Sequence, residues 1–316
     1  MNETSTLFQQ ARDEIGKVVV ASGDSADLLL TALFCEGHVL LEGPPGTAKT
    51  LLVRTLAQTL ELDSKRVQFT PDLMPADILG TQVLDLENNQ FRLRKGPIFT
   101  DLLLADEINR APAKTQSALL QAMMESEVTI DGQDLPLGEF FMVCATQNPI
   151  EMEGTYPLPE AQLDRFLFLL EVGYPQEEEE VAILERHHLN LRSKDLARFE
   201  LSTIADVERL HVVRNEINAV QVRPEVVSYV IRIARRTREH PSLILGASPR
   251  GALMTMIAAK AMAARQDRDF VLPDDVKAVA IPALRHRLAL HPAARIEGAT
   301  ANEVLEEILS QTEVPR

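Results

Sequence analysis

Residues 43–50 read Gly-Pro-Pro-Gly-Thr-Ala-Lys-Thr. They follow an apolar run, Val39-Leu-Leu41, and precede a stretch with helical spacing at Leu51, Leu52, Thr55, Leu56 and Thr59. Strand, glycine-bearing loop and helix in that order form the context a phosphate-binding loop requires. Gly43 and Gly46 permit close backbone approach, and the N–H groups of the loop and helix start face an anion. The candidate nucleotide-binding segment is therefore Gly43, Pro44, Pro45, Gly46, Thr47, Ala48, Lys49, Thr50 and Leu51. Lys49 would meet the β- and γ-phosphates, and Thr50 would ligate Mg²⁺. A cation in a first helical turn opposes the helix dipole, and a local rule broken this way marks a site. Ala48 stands where such loops usually carry a second glycine; alanine is small, so the loop is expected to survive.

Other strand ends supply matching chemistry. Leu102-Leu-Leu-Ala-Asp-Glu107 is an apolar strand ending in two acids, and ligands in open α/β sheets gather at strand C-termini. Asp106 would join Thr50 in holding Mg²⁺, and Glu107 would polarise the water attacking a γ-phosphate. A solvated acidic strand end would read the same way in isolation; the loop upstream favours the catalytic pair. Asn148, in ATQNP, follows another strand and could orient that water, although Asn before Pro is also a turn signal. Arg165, in LDRF, could act as an arginine finger on a neighbouring subunit's γ-phosphate; a salt bridge to Asp164 is the plain alternative. Arg250 follows Ser248 (N-cap) and Pro249 (N1), so this cation also opposes a helix dipole and suggests an external anion.

Apolar strands at 39–41, 66–69, 98–105, 140–145 and 166–170 alternate with helical segments, including 113–125, which argues for a parallel sheet covered on both faces. Residues 81–95 and 128–137 read as hairpins, turning at Asn88-Asn89 and Asp131-Gly132. In the first, Arg92 and Arg94 share a face opposite Phe91 and Leu93. After about residue 175 the strand signals stop. Helices are expected over 177–189, 204–220, 224–238, 249–264, 273–288 and 301–309, with Pro224, Pro249 and Pro273 at first helical positions. The expected fold is α/β, with an α/β domain over 1–195 and an all-α domain over 196–316.

The 316 residues suit about two domains, and 45% hydrophobic with 25% charged residues excludes disorder as the main state. Lys plus Arg is 32 against 47 Asp plus Glu, a net −15, a poor default for binding polyanions. Cys35 and Cys144 sit in apolar contexts and read as buried free thiols in a reducing compartment. No secretory signal and no membrane-spanning stretch is evident, so a cytoplasmic location is expected. Met123-Met124 and Met254/Met256 read as core. The basic stripe Arg232, Arg235, Arg236 and Arg238 reads as a solvated face or a subunit contact.

GPPGTAKT, LLLADE, ATQNP, LDRF and SPRG, in this order, resemble Walker A, Walker B, sensor 1, the arginine finger and sensor 2 of the AAA+ ATPases. The surrounding GHVLLEGPPGTAKT, DEINRAPAKTQSALLQAMME, ATQNPIEMEGTYPLPEAQLDRF and GASPRGAL resemble the MoxR family, over about residues 12–290. Ala48 matches that family's form of the loop. Ala21-Ser-Gly23 departs from its frequent Gly-Gln pair, in a region that lines the adenine pocket of similar ATPases. The resemblance implies a P-loop AAA+ fold with a five-stranded parallel sheet. The two hairpins would be the helix-2 and pre-sensor-1 inserts, and the C-terminal helices a lid. It implies ATP and Mg²⁺ as cofactors and a homo-oligomeric ring, usually a hexamer. Arg165 would enter the next subunit, Arg110 could also cross the interface, and Arg250 could act in its own site or a neighbour's. It also implies a chaperone-like motor that remodels or activates partner proteins, often ones with von Willebrand factor A domains. The alternatives are a metal-chelatase-type motor subunit, a nucleic-acid motor and an ATP-gated scaffold with little turnover. The net charge and the absence of tryptophan argue against nucleic acid, although Arg92, Arg94 and Lys95 are its best support.

Overall fold

The computed structural model describes residues 2–20, 23–148, 154–188 and 196–315. The chain opens with two helices, α1 (Glu3–Val18) and α2 (Gly23–Phe34), before β1 (Val39–Glu42), α3 (Lys49–Thr59) and β2 (Ser64–Gln68). A short α4 (Pro75–Leu79) leads into the first hairpin, β3 (Gly80–Asp85) and β4 (Gln90–Lys95), and then β5 (Leu102–Asp106) and α5 (Ala113–Glu125). The second hairpin, β6 (Glu127–Ile130) and β7 (Gln133–Pro136), precedes β8 (Met142–Gln147), α6 (Glu160–Leu163), β9 (Phe168–Glu171) and α7 (Glu177–His188). The C-terminal region holds α8 (Val207–Ala219), α9 (Pro224–Glu239), β10 (Leu243–Leu245), α10 (Pro249–Arg265), α11 (Pro273–Leu284), β11 (Ala289–Leu290), α12 (Pro292–Ile296) and α13 (Ala301–Gln311).

Five strands form one parallel sheet in the order β2-β5-β8-β1-β9. Their continuous apolar runs follow from burial on both faces. Val39, Leu41, Leu102, Leu104, Met142 and Cys144 join a core with α1, α2 and α3. Leu40, Leu103, Ala105, Val143 and Ala145 join a second core under α5. The strand period of two thus splits one sequence run between two cores. β1, β5 and β8 lie side by side at the centre, so the loops leaving their C-terminal ends converge.

The first core continues past the sheet. Leu210, Val213 and Ile217 of α8 and Ala258, Ala259 and Met262 of α10 belong to it with Leu7, Phe8 and Ala11 of α1. The C-terminal helices are therefore seated on the N-terminal pair. Asp27 of α2 reinforces this, pairing with Arg12 of α1 and with Arg265 of α10 at 2.7 Å.

Pro224, Pro249 and Pro273 begin α9, α10 and α11 as expected, while Asp206 sets the start of α8 by accepting from the Arg209 N–H at 2.8 Å. Several features lay outside the sequence reading, among them α1 and α2, the short α4, α6 and α12, the antiparallel β10–β11 ribbon within the helical region, and an earlier end of α11. There the chain tightens into a 3₁₀ turn, Arg285–Arg287, and Arg287 turns inward. The expected 195/196 boundary adjoins residues 189–195, which lie outside the described residues, as do residues 21 and 22. Met123 is core as expected, but Met124 is 43% exposed. Both cysteines are free, and burial pushes each thiol up to about 12. Among the described residues, no helix is long and apolar enough to cross a membrane.

Candidate active site

The loop after β1 is shaped by three positive-φ or close-approach positions. Gly43 (φ 154°) lies so near β9's continuation that a Cβ there would meet the Val172 carbonyl oxygen at 2.1 Å. Gly46 adopts φ 86°, and Ala48, at φ 60°, is left-handed just before α3 begins. A left-handed alanine costs about 1 kcal/mol or more, which places strain at the point where loop amides turn inward. Lys49, the first residue of α3, donates through Nζ to the carbonyls of Gly43 (2.7 Å) and Pro44 (2.9 Å). Its ammonium thus lies over the loop mouth. Burial lowers its pKa, and the nearby charges of Asp106 and Glu107 pull the other way.

The end of β5 supplies the acids. Asp106 Oδ1 accepts from Thr146 Oγ1 of β8 at 2.9 Å, and Thr146 Oγ1 accepts from the Glu107 N–H at 2.9 Å. One hydroxyl therefore locks both acids to the neighbouring strand. Glu107 itself is left-handed (φ 55°); a strained residue at a strand end is a frequent mark of a site. Its carboxylate accepts from Gln68 Nε2 at 2.8 Å and pairs with Arg110 at 3.0 Å. Thr50 Oγ1 lies 3.5 Å from Asp106 Oδ2. Arg66 Nε lies 2.6 Å from the same carboxylate oxygen, so the local field favours a cation there.

These groups line one cleft of about 430 Å³, which takes in Gly43, Pro45 through Leu51, Asp106, Glu107 and Asn148. Pro44 contributes through its carbonyl. An oxygen-only pair, Thr50 and Asp106, suits Mg²⁺, which keeps several waters and takes phosphate oxygens as further ligands. Loop amides with Lys49 suit a polyphosphate. A hollow of about 240 Å³ adjoins the cleft, shares Gly46 through Ala48 with it, and is walled by Val18, Val20, Leu52, Val172 and Ile183. A partly apolar hollow beside a phosphate loop, with Ser25, Glu171 and Glu179 also on its wall, suits a nucleotide base.

Arg165 and Arg250 do not line this cleft. Arg165 donates to the Leu120 carbonyl at 2.7 Å and Arg250 to the Met124 sulfur at 2.7 Å, both on the C-terminal half of α5. Burial and the Arg165 charge lower the Arg250 pKa, while Asp164 opposes them. Asp164 does not pair with Arg165. Its carboxylate is taken by Arg287 at 2.7 Å and by Ser248 at 3.0 Å. Arg110, expected at an interface, is engaged with Glu107 of its own chain.

Sequence reading missed Arg66, Gln68 and Thr146. A signal was present for the first two: polar residues two apart at the C-terminal end of a strand share the face and edge where ligands bind. Thr146 carried none, because a hydroxyl inside an apolar strand is ordinary until its partners are known.

A sequence profile of the ATPase family associated with various cellular activities (AAA) matches residues 38–168, and a profile of the AAA lid domain matches residues 235–308. Chaperone MoxR1 of Mycobacterium tuberculosis is 43% identical, over 99% of this chain and 84% of that protein. YeaC of Bacillus subtilis is 46% identical, over 98% of this chain and 95% of that protein. A solved Cytophaga hutchinsonii protein, 40% identical, superposes with a TM-score of 0.90 over 99% of this chain and 96% of that chain. With the loop, the paired acids and the lid in these places, the chain belongs to the MoxR family of AAA+ ATPases.

Proposed function

We propose that this chain hydrolyses ATP and, as a homo-oligomeric ring, uses the cycle to remodel or activate partner proteins. One observation carries the reading: the phosphate loop, Thr50 with Asp106, Glu107 and Asn148 open into a single cleft at the C-terminal ends of three adjacent strands. Residues 1–195 would bind nucleotide, and 196–316 would form the lid.

In this mechanism the loop amides and Lys49 hold the β- and γ-phosphates, with Lys49 leaving the Gly43 and Pro44 carbonyls to do so. Thr50 and Asp106 would hold Mg²⁺, which would supply positive charge to the phosphate oxygens; Arg66, now paired with Asp106, would leave that carboxylate. Glu107 accepts the proton of the attacking water, its carboxylate aimed by Gln68 and Arg110, and Asn148 holds the same water. Arg165, just after α6, and Arg250, in α10, both reach the C-terminal half of α5, away from their own cleft, so both would serve the cleft of an adjacent subunit and stabilise charge developing on the transferred phosphoryl. The hairpin β3–β4 carries Arg92 and Arg94 opposite a 68%-exposed Phe91. Such a surface fits an acidic, partly apolar segment of a client, as in a partner with a von Willebrand factor A domain. A cytoplasmic location and a hexameric ring complete the proposal.

The test is Glu107→Gln. It is expected to keep ATP affinity and lose about 10²-fold or more of steady-state turnover, because the proton acceptor is lost while Thr50 and Asp106 remain. Turnover equal to the parent chain would remove Glu107 from the chemistry.

A further inference from the structure

We propose that Asp164 and Arg287 are positioning residues that set Arg165 and Arg250 as one jaw for the γ-phosphate of the adjacent subunit. The proposal rests on the ring-ATPase reading above and deepens it.

Arg287 lies at the centre of the arrangement. Its side chain is 1% exposed, a burial that a guanidinium tolerates only when its donors are matched. They are matched almost entirely by one segment. Arg287 donates to Asp164 Oδ1 (2.7 Å) and to the carbonyls of Asp164 (3.1 Å), Phe166 (2.6 Å) and Leu167 (3.3 Å), besides the Ala283 carbonyl at the end of α11 and the Met254 sulfur (2.8 Å). A rigid fork from the lid therefore grips the backbone on both sides of Arg165. His286, next in chain, adds a contact to the Phe166 carbonyl at 3.0 Å.

The Asp164 carboxylate faces a second element as well. Ser248 Oγ donates to both of its oxygens at 3.0 Å. The same hydroxyl accepts the Gly251 N–H at 3.0 Å, capping α10 at the turn that carries Arg250. One carboxylate, on the residue preceding Arg165, thus joins the cap that places Arg250 to the lid arginine. Gly251 leaves room for this, since a Cβ there would lie 2.7 Å from Arg287 Cδ. The arrangement brings two arginines to one surface despite their mutual repulsion. Orienting groups of this kind matter because a misplacement of about 1 Å can cost about 10²-fold in rate.

The experiment uses the full chain with ATP and Mg²⁺. Asp164→Asn, isosteric but unable to pair with Arg287, is expected to lower kcat about 10- to 100-fold with KM for ATP changed by less than about twofold. Arg287→Lys, which keeps the charge but not the fork, is measured beside it and is expected to show the same split. The decisive readout is mixing with Glu107→Gln. In a mixed ring the Asp164→Asn subunit offers an intact cleft, and the Glu107→Gln subunit offers an intact jaw. Turnover should return to a level neither variant shows alone, as it should for Arg165→Ala mixed in the same way. Recovery with Arg165→Ala but not with Asp164→Asn or Arg287→Lys would overturn the positioning role and leave the ring reading standing. No recovery with Arg165→Ala would overturn the trans action itself and the jaw with it. Unchanged kcat in both Asp164→Asn and Arg287→Lys would also overturn the proposal.

Discussion

Ala48 shows how a single residue reports on the site. Its left-handed backbone (φ 60°) precedes the first turn of α3, a conformation glycine adopts without strain and β-branched residues resist. Relief of strain in Ala48→Gly is offset by the greater backbone entropy of unfolded glycine. We predict that Ala48→Gly stays within about 1 kcal/mol of the parent in urea unfolding, whereas Ala48→Val loses about 2 kcal/mol or more. Equal stability of the two variants would mean that the loop does not hold this conformation. Gly43 has less latitude, because any Cβ would collide with the Val172 carbonyl. Much of this was legible in the sequence, since the loop residues and both acids lie in short, local motifs. Arg287 and Met124 were not. Arg287 meets Asp164 across 123 residues, and nothing local to either announces the other.

At the scale of elements, His38 joins β8 to α5. Its Nδ1 accepts from the Val143 N–H at 3.0 Å, so Nε2 carries the proton and donates to the Met123 carbonyl at 3.0 Å. Burial holds its pKa down at about 4, against an ordinary 6.5. The unfolded chain therefore binds this proton more readily than the folded one between those values. Stability contributed by neutral His38 is full above pH 6.5 and falls as the pH drops towards 4. The loss at pH 5 relative to pH 7.5 is about 2 kcal/mol from this group alone. We predict that His38→Gln reduces the pH dependence of the urea midpoint between 7.5 and 5 by about that amount. An unaltered dependence would show that His38 is not held neutral. The strand order shows what patterning can deliver at this scale. Runs apolar on both faces announced a covered parallel sheet, and Pro at first positions announced α9, α10 and α11. The N-terminal helices went unread, and their reason for folding lies in what they touch. Leu7, Phe8 and Ala11 are buried in a core to which α8 and α10, roughly 200 residues or more downstream, also contribute.

At the scale of the molecule, sheet, N-terminal helices and lid share one continuous core, tied by Asp27 between Arg12 and Arg265. The lid is thus seated against the body on a broad apolar contact, and Arg165 and Arg250 meet the C-terminal half of α5 outside the cleft. A chain built this way holds a candidate nucleotide cleft at one place and an arginine pair at another. On the proposed reading its chemistry would be finished only when copies meet, and ATP bound at the junction would join them. The most direct measurement is the mass of the Glu107→Gln protein by light scattering behind a sizing column, with and without ATP and Mg²⁺, with bound nucleotide assayed in the peak. A shift from single chains to a ring-sized species on adding ATP and Mg²⁺ is the predicted result. Single chains that carry ATP in full yet never assemble would contradict a motor completed between subunits.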